Sequence, residues 1–232
     1  MPHGAPIHLR PTAPLAERVL LPGDPGRALA LAQALLSEPR MFNHHRGLWG
    51  YTGAGPDGEP VTIQATGMGG PSAAIVLSEL IALGARRAIR IGTCGALAPG
   101  LQLGELVVAR EAICADGASR ALGARGRAPA HDGLTAVLAR HAGRAHVGAV
   151  VSVDLFYDDG ATPEHEGALA VEMEAATLFA LGESTGVPVA CVLAVSDTFD
   201  AAGGRVRIED HALLAAAERM GAAALAALCE RL

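Results

Sequence analysis

Val171-Glu172-Met173-Glu174-Ala175-Ala176 places two carboxylates one residue apart in surroundings that are otherwise aliphatic. Ala168-Leu169-Ala170-Val171 ahead of it reads as a short buried strand, and Ala175 to Leu181 behind it as a helix. The pair therefore falls at a strand-to-helix junction, the edge of an open α/β sheet where ligands collect. A carboxylate buried there is costly unless it is paired or hydrogen-bonded. A helix N-terminus favours a nearby Glu through the macrodipole. That accounts for one surface Glu, but less readily for two flanking a Met in an apolar run.

The chain has 232 residues, and no Pro/Ser-rich linker or change of charge divides it, so residues 1–232 are expected to form one domain. Half the residues are hydrophobic but only 3% are aromatic, so the core must be built from Ala, Val, Leu and Ile. That composition suits parallel strands covered by Ala-rich helices, an α/β fold. A net charge of -6 argues against a general nucleic-acid binder. All 18 basic side chains other than histidine are Arg, the side chain that fixes oxyanions bidentately and does not titrate. Cys94, Cys114, Cys191 and Cys229 are widely spaced without a CxxC and read as reduced residues of a cytoplasmic protein. The N-terminus lacks a signal-type apolar region. No run of ~20 apolar, uncharged residues stands out. Ala212 to Leu232 reads as an amphipathic closing helix, and the protein is expected to be soluble, without a membrane partner.

Along the chain, Val19-Leu20-Leu21 is a strand ended by Pro22-Gly23-Asp24-Pro25-Gly26, with helical character from Arg27 to Leu36. That order makes either an anion site at a helix N-terminus or a plain turn with Pro at the first helical position. Leu48–Gly53 and Glu59–Ala65 read as a hairpin. Thr66-Gly67-Met68-Gly69-Gly70 opens a helix over Ser72–Leu83; its spacing is not G-x-G-x-x-G, but it lets a ligand approach the backbone. Arg86 to Gly95 is a strand with Arg90 inside it and Thr93 in the Gly-flanked turn at its end. A charge within a buried strand is rarely structural, so Arg90 and Thr93 are expected to converge on an anion. Val107–Cys114 is a strand, Ala118–Pro129 a mobile surface loop, Leu134–His141 a helix and Val147–Val153 a strand. Phe156 and Tyr157 then offer either a stacking wall for a planar ligand or ordinary packing. The last strand, Gly186–Val195, ends in Ser196-Asp197-Thr198, where the acid is either functional or a helix N-cap. His211 is expected at the surface. The histidines show no metal-ligand spacing, so no metal site is expected.

Arg beside exposed backbone N–H groups is the chemistry of phosphate, and a carboxylate beside an aromatic wall suits a ribose with a stacked base. No Ser-His-Asp, Cys-His or Walker A pattern is present. Gly23-Asp24-Pro25 with Arg27, His45-Arg46-Gly47, Gly67-Met68-Gly69 with Pro71-Ser72, Arg90-Ile91-Gly92-Thr93-Cys94-Gly95, Asp154-Leu155-Phe156-Tyr157, Val171 to Ala176 and Ser196-Asp197 occur in this order across almost the whole chain. Together they resemble the bacterial hexameric purine nucleoside phosphorylases of the nucleoside phosphorylase-I superfamily.

That resemblance implies a single α/β domain around a mixed central β-sheet flanked by helices, assembled as a trimer of dimers. It implies phosphorolysis of purine nucleosides to free base and ribose 1-phosphate, with inorganic phosphate as co-substrate and no cofactor. By resemblance, Gly23, Arg27, Arg90 and Thr93 hold phosphate, with Arg46 reaching in from a neighbouring subunit. Met173 and Glu174 hold the ribose, with the neighbour's His8 near the 5′-hydroxyl. Phe156, Val171 and Glu172 line the base, Ser196 stands alongside, and Asp197 donates a proton to N7 and must itself carry or share that proton. The helper arginine beyond Ser196-Asp197 has no unique counterpart, and Arg205 and Arg207 both qualify. Thr93 stands where Ser is commoner, and Asp158–Leu169 is shorter than usual, which can alter the base-side wall. Uridine phosphorylases read uracil with a Gln-x-Arg pair ahead of the Glu-Met-Glu segment, and Asp158–Leu169 contains neither residue. A hydrolytic nucleosidase or a glycosidase would leave Arg27, Arg46 and Arg90 without an anion, and a non-catalytic nucleoside-binding module needs no proton donor.

Overall fold

In the computed structural model, residues 6–157, 167–199 and 204–230 are described. Strand β5 (Arg87–Ala96) is buried without interruption from Ala88 to Gly92 because strands flank it on both edges. On one edge lies β1 (Arg18–Pro22), parallel, with Leu21 opposite Arg90. On the other lies β10 (Val189–Phe199), also parallel, with Cys191 opposite Arg90. An arm continues from β1 through β4 (Pro60–Gln64), β3 (Gly50–Ala54) and β2 (Ser37–Asn43), in which β3 and β4 form the expected hairpin.

From β10 the sheet runs through β6 (Leu106–Cys114), β8 (His146–Ser152) and β9 (Ala168–Glu172). Strand β9 then returns to β5, antiparallel, with Val171 opposite Gly95. Strands β5, β10, β6, β8 and β9 thus close into a ring, and the sheet is mixed because β9–β5 and β10–β6 are antiparallel while β8–β9 and β10–β5 are parallel. The ring brings the C-terminal ends of β5 and β8 beside the Glu172 end of β9.

The period-two alternation of strands sorts their side chains between two cores. Val19, Leu21 and Ala88 face α2 (Gly70–Leu83) and α5 (Ala175–Thr185). Leu20, Ile89 and Ile91 face α1 (Pro25–Leu35), α4 (Asp132–His141) and α6 (Asp210–Cys229). Arg90 therefore points with Ala88 to the α2/α5 side. By length and composition α6 can cross a membrane, with mean hydropathy 1.5, but half of that window is buried. Its Ala216, Met220, Ala224 and Leu228 are core residues packed with Leu31, Leu134 and Leu138. Cys94, Cys114 and Cys191 are free and buried, and Cys229 is free and half-buried.

Two sequence expectations are corrected. Ala118–Pro129 is not a structureless loop: α3 (Gly117–Ala121) is capped by Asp116, and β7 (Arg127–Pro129) pairs antiparallel with β6. Its Gly/Ala/Arg composition hid an Asp cap and a short edge strand. Nor does the last strand end at Val195. It runs on to Phe199 because β11 (Arg205–Arg207) pairs with Asp197–Phe199.

Gly182 lets α5 lie against the start of β10. An added Cβ would stand 2.6 Å from Val189 Cγ2 and 2.8 Å from the Val187 carbonyl oxygen. Gly182→Ala is expected to destabilise the fold by about 1–3 kcal/mol. Gly133→Ala in α4, where the nearest atom is 3.4 Å away, is expected to be neutral or stabilising. Urea unfolding of the two variants measures the contrast; equal midpoints would refute the close-packing argument.

Candidate active site

At the C-terminal ends of β1, β5 and β9 opens a cavity of about 530 Å³, within the range of small-molecule sites. Its cationic side begins with α1. Asp24 caps this helix, its Oδ1 accepting the Arg27 N–H at 2.6 Å. Arg27 lines the cavity beside Gly23. Burial holds the Arg27 guanidinium below its ordinary pKa, against the attraction of Asp24, and repulsion from Arg90 adds to the depression. Two guanidinium groups that repel each other in one concavity make a site that an anion relieves. Thr93 lines the same cavity, as does Arg46, held at φ 60° in the 3-10 turn His45–Gly47. Arg46 thus reaches the cavity of its own chain.

Arg90 is 3% exposed and is clamped by both carboxylates of the Glu-Met-Glu stretch. Its Nε donates to Glu172 Oε2 at 3.0 Å, and Nη2 pairs with Glu174 Oε2. Burial works against the Arg90 charge, yet Glu174 and Glu172 together hold its pKa above the ordinary value. Burial pushes the Glu172 carboxyl up; Arg90 pulls it down only in part, and Glu174 adds repulsion.

The two acids have separate tasks. The Glu172 side chain is fully buried. It accepts the N–H groups of Glu174 and Ala175 at 2.8–2.9 Å, as well as the Ser152 hydroxyl. Glu172 lines the cavity as expected, and its carboxylate also anchors Arg90 and the first turn of α5. Glu174 Oε1 accepts the N–H of Gly69 at 2.5 Å. Gly69 has φ 85°, a conformation that suits glycine, and it starts α2. Glu174, Met173 and Val171 all line the cavity.

The opposite wall comes from β10. A register shift between Val195 and Asp197 inserts Ser196 as an extra residue, and both Ser196 and Asp197 line the cavity. Asp197 is 5% exposed; its Oδ2 lies 2.6 Å from Ser196 Oγ, and its Oδ1 is buried without a hydrogen-bond partner. Arg207, opposite Asp197 in the β10–β11 pair, brings Nε to 3.6 Å of that Oδ1 but does not line the cavity. Arg205 does line it, with its guanidinium carbon 4.5 Å from the centroid of the Phe156 ring. Phe156 completes the wall.

His8 does not line the cavity of its own chain. Its Nδ1 lies 2.7 Å from Glu79 Oε1, and Glu79 also accepts the N–H groups of Ile7, His8 and Leu9. The residues 158–166, within the stretch expected to be short, lie outside the described residues. Among the described residues no group of three or more His, Cys, Asp or Glu can hold a metal ion. Sequence reasoning missed Ser152 and the Gly69 amide. A backbone donor leaves no residue-type signal, and Ser152 is one small polar residue in an aliphatic strand.

A family model described as the phosphorylase superfamily matches residues 17–231. The chain is 39% identical over 197 residues to a DeoD-type purine nucleoside phosphorylase of Geobacillus kaustophilus, a match covering 80% of this chain and 83% of the relative. The uridine phosphorylase structure from Vibrio fischeri superposes with a TM-score of 0.83 at 27% identity, covering 94% of this chain and 93% of that one. A Toxoplasma gondii purine nucleoside phosphorylase in complex with immucillin-H gives 0.82 at 25% identity, covering 92% and 90%.

Removing one partner of a buried ion pair strands the other charge. Glu172→Ala is therefore expected to cost about 3–5 kcal/mol in urea unfolding. A loss within about 0.5 kcal/mol, the usual range of surface substitutions, would show that Arg90 does not depend on Glu172.

Proposed function

The chain belongs to the phosphorylase superfamily, and on that premise we propose that it is a purine nucleoside phosphorylase. It converts a purine ribo- or 2′-deoxyribonucleoside and inorganic phosphate into free purine and (2-deoxy)ribose 1-phosphate. The observation that carries the reading is the polarity of one cavity. Arg27, Arg46 and Arg90 line it with cation, while the acid Asp197 lines it from β10, its Oδ1 without a hydrogen bond.

In this reading Gly23, Arg27, Arg46, Arg90 and Thr93 hold phosphate so that one of its oxygens attacks C1′. Glu174 and Met173 hold the ribose, and Phe156, Val171 and Glu172 line the base, with Ser196 alongside. As the C1′–N9 bond breaks, its electron pair passes to the purine, and Asp197 delivers a proton to N7. Of the two candidate helpers, Arg207 is the partner of Asp197, because the register sets it opposite that residue with Nε 3.6 Å from Oδ1. Phosphate is a co-substrate and no cofactor takes part. The protein acts as one domain over residues 1–232, in the cytoplasm, as a homo-oligomer. The proposed assembly is a hexamer built as a trimer of dimers, in which His8 serves a neighbouring site near the 5′-hydroxyl.

Likeness to a solved uridine phosphorylase supports a second reading, cleavage of uridine. The 39% identity to a DeoD-type purine nucleoside phosphorylase and the lack of Gln and Arg in Asp158–Leu169 favour purine.

Inosine and adenosine are expected to release hypoxanthine and adenine only when phosphate is present, with uridine a poor substrate. Phosphate-independent cleavage would refute phosphorolysis, and binding without turnover would favour a nucleoside-binding module. Asp197→Asn is expected to lower adenosine turnover by about 10²–10⁴-fold, the worth of general acid catalysis. Inosine turnover should fall less, because a 6-amino purine depends more on the donated proton. Steady-state kinetics with both substrates checks this, and equal losses would count against Asp197 as donor.

A further inference from the structure

We propose that Arg205 is a positioning residue for Phe156, and through it for the base, and takes no part in proton transfer. The inference rests on the purine reading above. Strand β11 runs antiparallel to β10 with Arg207 opposite Asp197 and Arg205 opposite Phe199. Two residues apart on one strand, the two arginines leave the same face, yet they end in different places. The Arg207 side chain reaches Asp197 while remaining 63% exposed. Arg205 reaches over the Phe156 ring at 4.5 Å, inside the ~6 Å range of a cation–π contact.

Phe156 needs such a contact. It follows β8 on a non-strand segment and is 43% exposed. The segment is fastened at its start, where Asp154 Oδ2 accepts the Gly117 N–H at 2.8 Å. Beyond that the ring meets Tyr157 edge-on at 5.0 Å, but Tyr157 is itself 91% exposed and gives no rigid backing. Arg205 supplies a planar partner from a different element. It ties the β10–β11 hairpin to the segment after β8 across the cavity mouth, fixing the plane against which a purine stacks.

The test combines calorimetric titration of adenine and hypoxanthine, in phosphate buffer, with phosphorolysis kinetics. The proteins are the full chain and the variants Arg205→Ala, Arg205→Lys, Arg207→Ala, Phe156→Leu and Arg205→Ala/Phe156→Leu. A contact of this kind at an exposed site corresponds to roughly a two- to fivefold change. Arg205→Ala is expected to raise the base Kd and the nucleoside KM by that factor while leaving the phosphate KM and the pH profile of kcat in place. Arg205→Lys should recover part of the loss. In the Phe156→Leu background, Arg205→Ala should cost nothing more. Arg207→Ala should instead lower kcat and move its pH profile. Unchanged or tighter base binding in Arg205→Ala overturns the proposal. So does an equal loss in the Phe156→Leu background, or a shifted pH profile. If the unaltered protein binds bases without turning nucleosides over, the phosphorylase reading falls while the titrations still decide Arg205. If it binds no base, both fall.

Discussion

Arg90 is a cation in the buried middle of β5, and two carboxylates from one strand-to-helix junction balance it. Isolated, any of the three charges would carry a large desolvation penalty in this interior. Together they convert that penalty into a positional constraint, because the network is satisfied only when three elements meet at one register. Strand β5 supplies the guanidinium, the end of β9 supplies Glu172, and the entry to α5 supplies Glu174. Glu172 binds the first N–H groups of α5, and Glu174 binds the N–H of Gly69, so the network also fixes where α5 and α2 begin. The cavity takes its outline from those starting points.

The same constraint divides the charge of the site. Arg90 is largely spent on its carboxylates, whereas Arg27 is depressed by burial and by Arg90. On the phosphorolysis reading, an arriving phosphate therefore meets unmet demand at Arg27, with Arg90 as a fixed boundary between phosphate and sugar. On the phosphorolysis reading, Glu174 faces the ribose already oriented by Arg90 and Gly69 and need not reorganise when charge develops at C1′. A carboxylate used this way is held by its neighbours before the ligand comes.

Much of this was legible in the sequence. Strand and helix periodicities placed β1, β3 to β6, β8 to β10 and the longer helices, and Arg90 stood out because an aliphatic strand seldom carries charge. Other features were hidden for identifiable reasons. Ser37 to Met41 in β2 is exposed throughout and includes Glu38, Pro39 and Arg40, so no apolar alternation marks it. Glu172 and Glu174 share a face by alternation, so spacing alone could not tell which of them anchors the first turn of α5. That was settled by Ser152 and the α5 amides. Nor could spacing choose between Arg205 and Arg207, which project from one face of β11. Only the register against β10 assigns one to Asp197.

The position of Asp197 depends on a defect in that register. In a regular strand Ser196 and Asp197 would point to opposite faces, and only one could reach the cavity. The extra residue at Ser196 re-aims the chain, as bulges do beside ligand sites, so both side chains line the cavity and share a hydrogen bond. Had the strand ended at Val195, Asp197 would have sat on a loop or helix cap, where water or a backbone N–H would take its oxygens. Pairing with β11 carries the strand past the bulge. One carboxyl oxygen, Oδ1, is left buried without a hydrogen bond, with Arg207 Nε 3.6 Å away. Leaving that oxygen without a hydrogen bond costs stability, and a ligand that hydrogen-bonds to it recovers the cost. On the purine reading that ligand atom is N7, and the bulge is what aims the proton donor at it.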